Sequence, residues 1–339
     1  MHPTLLKIPL PWGGHFSIPA YGFLIMCGFL VALAVARRRG RRLGIHPDHI
    51  MDAALASLLG GIIGSRLFYV IFFAPDIVRD NPLRIFAIWE GGLVFYGGAT
   101  GGGVALFFVM WRKRLPVRRT LDVIVSVVPL AHAFGRLGCF MNGCCFGKVT
   151  ELWLGMRFPR VLTPDSGENA LYEVGTEHIT GSPPFVHHMN QLLVAKLDAW
   201  SLPIHPTQLY AVGYNLLVFG CLGLVFYRRR RAGEIAWLYA VLYGTARFLN
   251  EFMRGDQEPV LLRLTIAQVI CIPLAAFGLA AFLRGRSLPR EPLPEPWEPP
   301  DTQEPDEASH AGEEGGSGEP SQPTPAATGP RGWRRRRRR

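Results

Sequence analysis

Seven stretches of the chain are continuously apolar, at about residues 18–36, 50–74, 92–111, 120–138, 206–227, 234–254 and 264–283. Each approaches the roughly 20 residues that a helix needs to cross the hydrocarbon core of a bilayer. The connections are polar, and their bases are unevenly shared. Lys and Arg number five in 37–49, five in 112–119 and four in 228–231, and Arg284, Arg286 and Arg290 follow the last run. The intervening connections hold two in 75–91, four across 139–205 and Arg263 alone in 255–263. The base-rich segments alternate, so the positive-inside rule predicts an N-terminus outside and a C-terminus in the cytoplasm. The expectation is an all-α polytopic membrane protein with seven transmembrane helices. Helices one to four fall within 1–138, a small outer-face head of short strands and loops within 139–205, helices five to seven within 206–284, and a disordered cytoplasmic tail within 285–339.

Composition sharpens that picture. Of 339 residues 49% are hydrophobic and only 18% charged, with a net charge of +10, which argues against an ordinary soluble domain. The last 55 residues hold 10 of the 26 acids, 9 of the 36 bases and 11 of the 28 prolines, so the net positive charge belongs to the membrane body. The tail cannot bury a core. It ends in Arg334 to Arg339, a cluster suited to anionic headgroups on the cytoplasmic leaflet, and no nucleic-acid partner is expected. Met1 to Pro19 lack the basic segment of a cleaved leader. Met26 is too bulky for Leu24-Ile25-Met26-Cys27 to be processed, so the first run reads as an anchor. Glycines recur within the runs, as Gly60-Gly61 with Gly64, and Gly97-Gly98 with Gly101 to Gly103. They read as close helix packing, or as a groove for a lipid.

Charges inside apolar runs are costly, so they mark cavities, partners or headgroups. Arg66, Arg136 and Arg247 all fall toward the outer ends of their runs. In the sixth run Tyr243, Arg247, Glu251 and Arg254 are spaced i, i+4, i+8 and i+11, within an arc of about 80°. Glu251 is placed to pair with both arginines. The stripe reads either as a lock within the bundle or as an anion site, for which the guanidinium fork is apt. In the fourth run His132, Arg136 and Cys139 lead into Gly135-Arg136-Leu137-Gly138-Cys139-Phe140-Met141-Asn142-Gly143-Cys144-Cys145-Phe146-Gly147, a Gly- and Asn-bearing turn. Its backbone amides suit an anion pocket, and equally a structural helix exit. A third constellation, His205-Pro206-Thr207-Gln208-Leu209-Tyr210, opens the fifth run with Pro206 in the first turn. His205 reads as a base or a cap.

Cys27, Cys221 and Cys271 lie inside apolar runs and read as small hydrophobes. Cys139, Cys144 and Cys145 fall together and raise metal binding or disulfide exchange as alternatives. The adjacency of Cys144 and Cys145 makes a tetrahedral site awkward, and no second Cys or His pair is spaced to complete it. Neither metal nor organic cofactor is expected. A transport path is a further reading, against which the charges stop at the outer face and no repeat relates the halves.

Together these segments resemble the bacterial prolipoprotein diacylglyceryl transferase family. The match runs over roughly residues 17 to 283, on Tyr21-Gly22, Gly64-Ser65-Arg66, Gly91 to Gly98, the Gly135 to Gly147 motif, and His205 to Tyr210 followed by Arg247, Glu251 and Arg254. The resemblance implies transfer of a diacylglyceryl group from phosphatidylglycerol to the lipobox cysteine of a preprolipoprotein, with release of glycerol phosphate, in the bacterial inner membrane. Its partners would be phosphatidylglycerol, preprolipoprotein signal peptides and membrane lipids. Arg136 and Arg247 would be catalytic, as an electrostatic clamp that needs no metal. Tyr96, where many members carry a histidine that is a candidate base, would be the third catalytic residue. Arg254, Tyr243 and Glu251 would support the arginines, Tyr21 and Asn142 would contact lipid or nucleophile, and Gly147 would leave room in the turn. Arg66, His205 and Gln208 complete the substrate-binding set. The chain departs from the family pattern at Cys139, commonly Asn, at Cys144, commonly an acid, and at Ala211, commonly Glu. These departures keep two alternatives in view: a catalytically altered paralogue that binds phospholipid, and a thiol or metal protein using Cys139, Cys144 and Cys145.

Overall fold

All seven apolar runs are helical in the computed structural model. It describes residues 4–9, 15–88, 91–159, 171–174, 177–180, 182–191, 193, 200–257, 259–292 and 294–299. In chain order the helices are α1 (Ala20–Arg41), α2 (Pro47–Phe72), the short α3 (Asp76–Asp80), α4 (Phe95–Arg112), α5 (Val117–Asn142), α6 (Pro183–Asn190), α7 (Thr207–Phe226), α8 (Glu234–Glu251) and α9 (Ile266–Ser287). Of these, α1, α2, α5, α7 and α9 are long and apolar enough to cross a membrane, and the chain is a polytopic membrane protein. α4 and α8 have 18 residues each. Several helices outrun their apolar windows because charged ends suit the helix dipole. α1, for instance, carries Arg38, Arg39 and Arg41 in its last turn.

The apolar side chains are distributed for lipid. Leu59, Val104, Leu217, Leu224 and Phe277 point outward with 59–71% of their surface exposed. The interior holds a cluster of Ala32, Ala36, Ile50, Val123, Val127, Leu222, Phe226 and Ile235, from α1, α2, α5, α7 and α8. Backbone polar groups in hydrocarbon must be satisfied within the helix, and outward apolar surface then costs nothing.

Small residues set how closely the helices approach. A methyl group on Gly64 would strike the Gly97 carbonyl, and one on Gly101 the Gly60 carbonyl, so α2 and α4 meet backbone to backbone. The recurrent glycines here are a packing device. α1 packs on α5 with Gly28 against Phe134 and Gly138 against Tyr21, and α8 packs on α9 with Gly278 against Ala240. At the other end of the bundle a fully buried carboxylate, Asp122 of α5, accepts from the Gly233 amide at 2.7 Å and the Ala236 amide at 3.0 Å. It thereby caps the N-terminus of α8 from a neighbouring helix.

Two features depart from the apolar pattern. A hairpin of β1 (Thr4–Pro9) and β2 (His15–Pro19) precedes α1, pairing Leu6 with Ile18. Within 139–205, β3 (Leu171–Val174) pairs with β4 (Glu177–Thr180), and Phe146, Phe158 and Ile204 form a small core of their own with Phe140 and Met156. The tail boundary expected at 285 moves outward. α9 continues to Ser287, the Glu291 carboxylate accepts from the Ala232 amide at 3.1 Å and pairs with Arg231, and the Trp297 amide reaches the Arg41 carbonyl at 2.7 Å. These partners come from the base-rich connections, which tether the chain beyond α9. The rest of the expected tail, from 300 on with its arginine cluster, lies outside the described residues.

The glycine contact makes a paired prediction. Gly101→Val should push α2 and α4 apart and destabilise the purified protein by about 1–3 kcal/mol. Gly103→Ala, on the same helix with nothing within 4 Å of the added methyl, should leave the thermal midpoint unchanged or slightly raised.

Candidate active site

The site is assembled where three distant segments are laced together by backbone hydrogen bonds. α5 ends at Gly143, whose left-handed conformation (φ +75°) stops the helix, and the chain folds back through Cys144 and Cys145. The Gly147 amide then donates to the His205 carbonyl at 3.1 Å, and the His205 amide to Lys148 at 3.0 Å. On its other side the Lys148 amide donates to the Met253 carbonyl at 2.8 Å, and the Gly255 amide to Phe146 at 3.1 Å. A methyl on Gly147 would collide with the His205 carbonyl and lie 2.9 Å from that of Met253. Gly147 therefore closes the lacing itself, and the room it leaves is taken by protein backbone.

The first turn of α7 fixes the same loop. The Thr207 hydroxyl donates to the Cys145 carbonyl and the Gln208 side-chain amide to the Cys144 carbonyl, both at 2.8 Å. Gln208 is fully buried, and His205 Nδ1 lies 3.3 Å from the Tyr210 hydroxyl. Both residues, expected at the substrate, hold the walls of the site together.

That frame brings the polar face of α5 against that of α8. Arg136 is half-buried, and its Nε donates to His132 Nε2 at 3.0 Å. The accepting nitrogen carries no proton, so the imidazole is neutral and leaves the guanidinium charge uncancelled. The His132 ring stands 5.6 Å from that of Tyr243, which is 6.4 Å from Tyr214 and stacked on Tyr239 at 5.3 Å. Arg136 and Arg247 both lie within electrostatic range of His132, Tyr214 and Tyr243. Arg247 is ion-paired with the fully buried Glu251 carboxylate, which also faces Arg254 at 3.8 Å and accepts from the Thr265 hydroxyl at 2.9 Å. Thr265 is itself fixed as the N-cap of α9, in a capping box with Gln268.

The expected stripe is thus present for Tyr243, Arg247 and Glu251. Arg254 lies beyond the end of α8, where Asp256 grips it through two hydrogen bonds of 2.9 and 2.7 Å. Tyr21, from the first turn of α1, packs on Gly138 within electrostatic range of Arg136 and of Cys139, Cys144 and Cys145. Asn142 is exposed at the last residue of α5, and its side chain reaches Cys144. The three thiols are free, with sulfur atoms all within 4.8 Å of one another. The Cys144 thiol donates to the Cys139 carbonyl at 3.8 Å, and Arg136 and Arg254 lie within electrostatic range of Cys145.

Two expected site residues are placed elsewhere. Arg66 is buried and donates to the carbonyls of Arg84, Ile85 and Gly91 at 2.6, 3.0 and 2.7 Å. Its guanidinium braces the connection from α2 to α4, because carbonyls at the edge of a membrane need donors. Tyr96 is 46% exposed in the first turn of α4, its ring edge-on to Phe95 and its carbonyl bonded to Thr100. α4 is held along α2 by the glycine contact, so the phenol stays on that helix pair.

Residues 8–284 match the family described as prolipoprotein diacylglyceryl transferase. The chain belongs to that family. It is 31% identical over 268 residues to the phosphatidylglycerol–prolipoprotein diacylglyceryl transferase of Clostridium tetani, a match covering 78% of this chain and 92% of the relative. It is 32% identical over 293 residues to the protein of the same name from Xylella fastidiosa, covering 84% and 94%. To that of Xanthomonas oryzae it is 31% identical over 284 residues, covering 81% and 90%. The fold also brings to this region residues that the motifs alone did not single out. Asp256 follows Arg254 by two positions, and Thr265-Ile266-Ala267-Gln268 carries a readable capping-box pattern. Tyr214 had no such signal, since only the packing of α7 against α8 brings it to the arginines.

Glu251 gives the site its most exposed weakness. Glu251→Gln keeps an acceptor for Thr265 but removes the charge between Arg247 and Arg254, and should cost about 3–5 kcal/mol. A thermal melt of the purified variant against wild type, with the yield of folded protein, measures it.

Proposed function

We propose that the chain transfers the diacylglyceryl group of phosphatidylglycerol to the lipobox cysteine of preprolipoproteins and releases glycerol phosphate. Family membership over most of the chain supports the reaction. The observation that carries the mechanism is the hydrogen bond from Arg136 to a neutral imidazole instead of a carboxylate, which keeps its charge available to an anion.

In the reaction the client thiol gives its proton to solvent and its sulfur attacks the glyceryl carbon that bears the phosphate. A carbon–sulfur bond forms as the carbon–oxygen bond breaks, and the leaving phosphate carries away the electron pair. Negative charge on the phosphate grows along that path, so cations held at the departing oxygens stabilise the transition state more than the bound lipid. Arg136 keeps four N–H donors after its bond to His132. Arg247, oriented by Glu251, approaches the same group of rings from α8. In this reading they form the clamp. Tyr243 and Tyr214 line it, Tyr21 and Asn142 meet the lipid or the client from the side of α1 and the α5 exit, and Arg254 secures the loop. Tyr96 lies outside the clamp and takes no proton in this scheme.

The same reading puts all seven long helices across the bacterial inner membrane, N-terminus outside, with the 139–205 segment as an outer head over the clamp. The alternation of bases along the connections supports this orientation. A green fluorescent protein fused after residue 339 should then fluoresce, while a fusion placed within 160–170 should be dark, since that fluorophore does not mature when exported unfolded.

In proteoliposomes containing phosphatidylglycerol and a lipobox peptide, wild type should form the thioether, read by mass spectrometry. Arg136→Ala and Arg247→Ala should each slow it at least ~100-fold. Absence of product with folded wild type would overturn the reaction, and unchanged rates in both variants would overturn the clamp.

A further inference from the structure

We propose that Cys139, Cys144 and Cys145 form a three-thiolate binding site for a divalent zinc-class cation, with its fourth coordination position open beside Arg136. In sequence the adjacency of two of these cysteines argues against a shared metal, because neighbouring residues of an extended chain point in opposite directions. Cys145 removes that obstacle by adopting the left-handed region, φ +60°, which turns its side chain back to the side of Cys144. Cys139 joins them from the last turn of α5. A tetrahedral ion at about 2.3 Å from each sulfur sets its sulfurs about 3.8 Å apart, a small closure from thiols that already lie within 4.8 Å.

Two further observations belong to a built site. The carbonyls of Cys144 and Cys145 are tied to Gln208 and Thr207 of α7, so the strained turn is held from a second helix as metal-ligand loops commonly are. Gathered thiolates also need positive charge nearby, and Arg136 and Arg254 act on Cys145 directly. Among the described residues no fourth His, Cys, Asp or Glu joins the three, which is the ligand count of a zinc site open to an incoming group.

What enters the open position rests on the transferase reading. The client thiol, coordinated there, would give its proton to solvent and present a thiolate to the glyceryl carbon. The new thioether is a weaker ligand than a thiolate and would leave the metal, while the phosphate departs with the electron pair of the broken carbon–oxygen bond. No electron is gained or lost by the metal. Zinc would then supply the thiol activation that Tyr96, away from the clamp, is not placed to give.

The test uses the full chain purified from zinc-supplemented cells. Elemental analysis should find about one zinc per chain, and X-ray absorption should show three sulfur neighbours. Cobalt(II) added to zinc-stripped wild type should give a thiolate charge-transfer band. Cys139→Ser and Cys144→Ser should each lower zinc at least tenfold while eluting as folded, monodisperse protein, and Cys221→Ser should retain it. Wild type without zinc or the cobalt band, its three thiols freely alkylated or two of them joined as a disulfide, would overturn the site. Thioether formation at full rate by chelator-stripped protein would overturn the role of the open position and leave the transferase standing. Zinc bound through three sulfurs without thioether formation would overturn the transferase reading and leave the site standing.

Discussion

The backbone lacing at Gly147 is the contact from which the rest of the site follows. It ties the exit of α5 to the entry of α7 through His205 and to the exit of α8 through Met253 and Gly255. Every polar side chain of the candidate clamp sits on one of these three helices or on a loop that they hold. Asp122 joins α5 to α8 at one end, and the lacing joins them again at the end that carries Arg136 and Arg247. The approach is possible only because position 147 lacks a side chain: the neighbouring carbonyls occupy the space where a β-carbon would stand.

The second constraint is the treatment of charge away from water. Two guanidiniums, Arg247 and Arg254, share the buried Glu251 carboxylate, and Asp256 holds one of them further. Arg66 is neutralised differently, by the partial charges of three carbonyls. Arg136 alone in this set is hydrogen-bonded to a neutral ring. Holding a cation half-buried without a carboxylate partner is costly, and it leaves the Arg136 charge the least compensated of the four.

Much of this was legible because a bilayer makes simple demands. Seven long apolar runs, alternating bases in the connections and a 3.6-residue spacing of Tyr243, Arg247 and Glu251 all survive as local patterns. Other features depend on partners far away in the chain. Arg66 looks like a site residue until the carbonyls 18 to 25 positions later are placed around it. The glycines of α2 and α4 do not reveal whether they face a lipid or each other. The cysteine trio is visible in the sequence, but its convergence is not, since one positive φ at Cys145 decides whether its neighbour's sulfur is near or far. The N-terminal hairpin rests on backbone pairing across only five or six residues per strand, too short to register against the long runs that follow.

The order in which the chain emerges from the ribosome gives the lacing a further meaning. Phe146 to Lys148 must wait for His205, and then for Met253 to Gly255 more than 100 residues later, before their backbone groups find partners. Glu251 in turn waits for Thr265 at the start of the last long helix. During biogenesis the thiols and Arg136 are therefore in the membrane well before their surroundings exist. A nascent chain cannot perform chemistry on the lipids around it until almost all of its helices have been inserted.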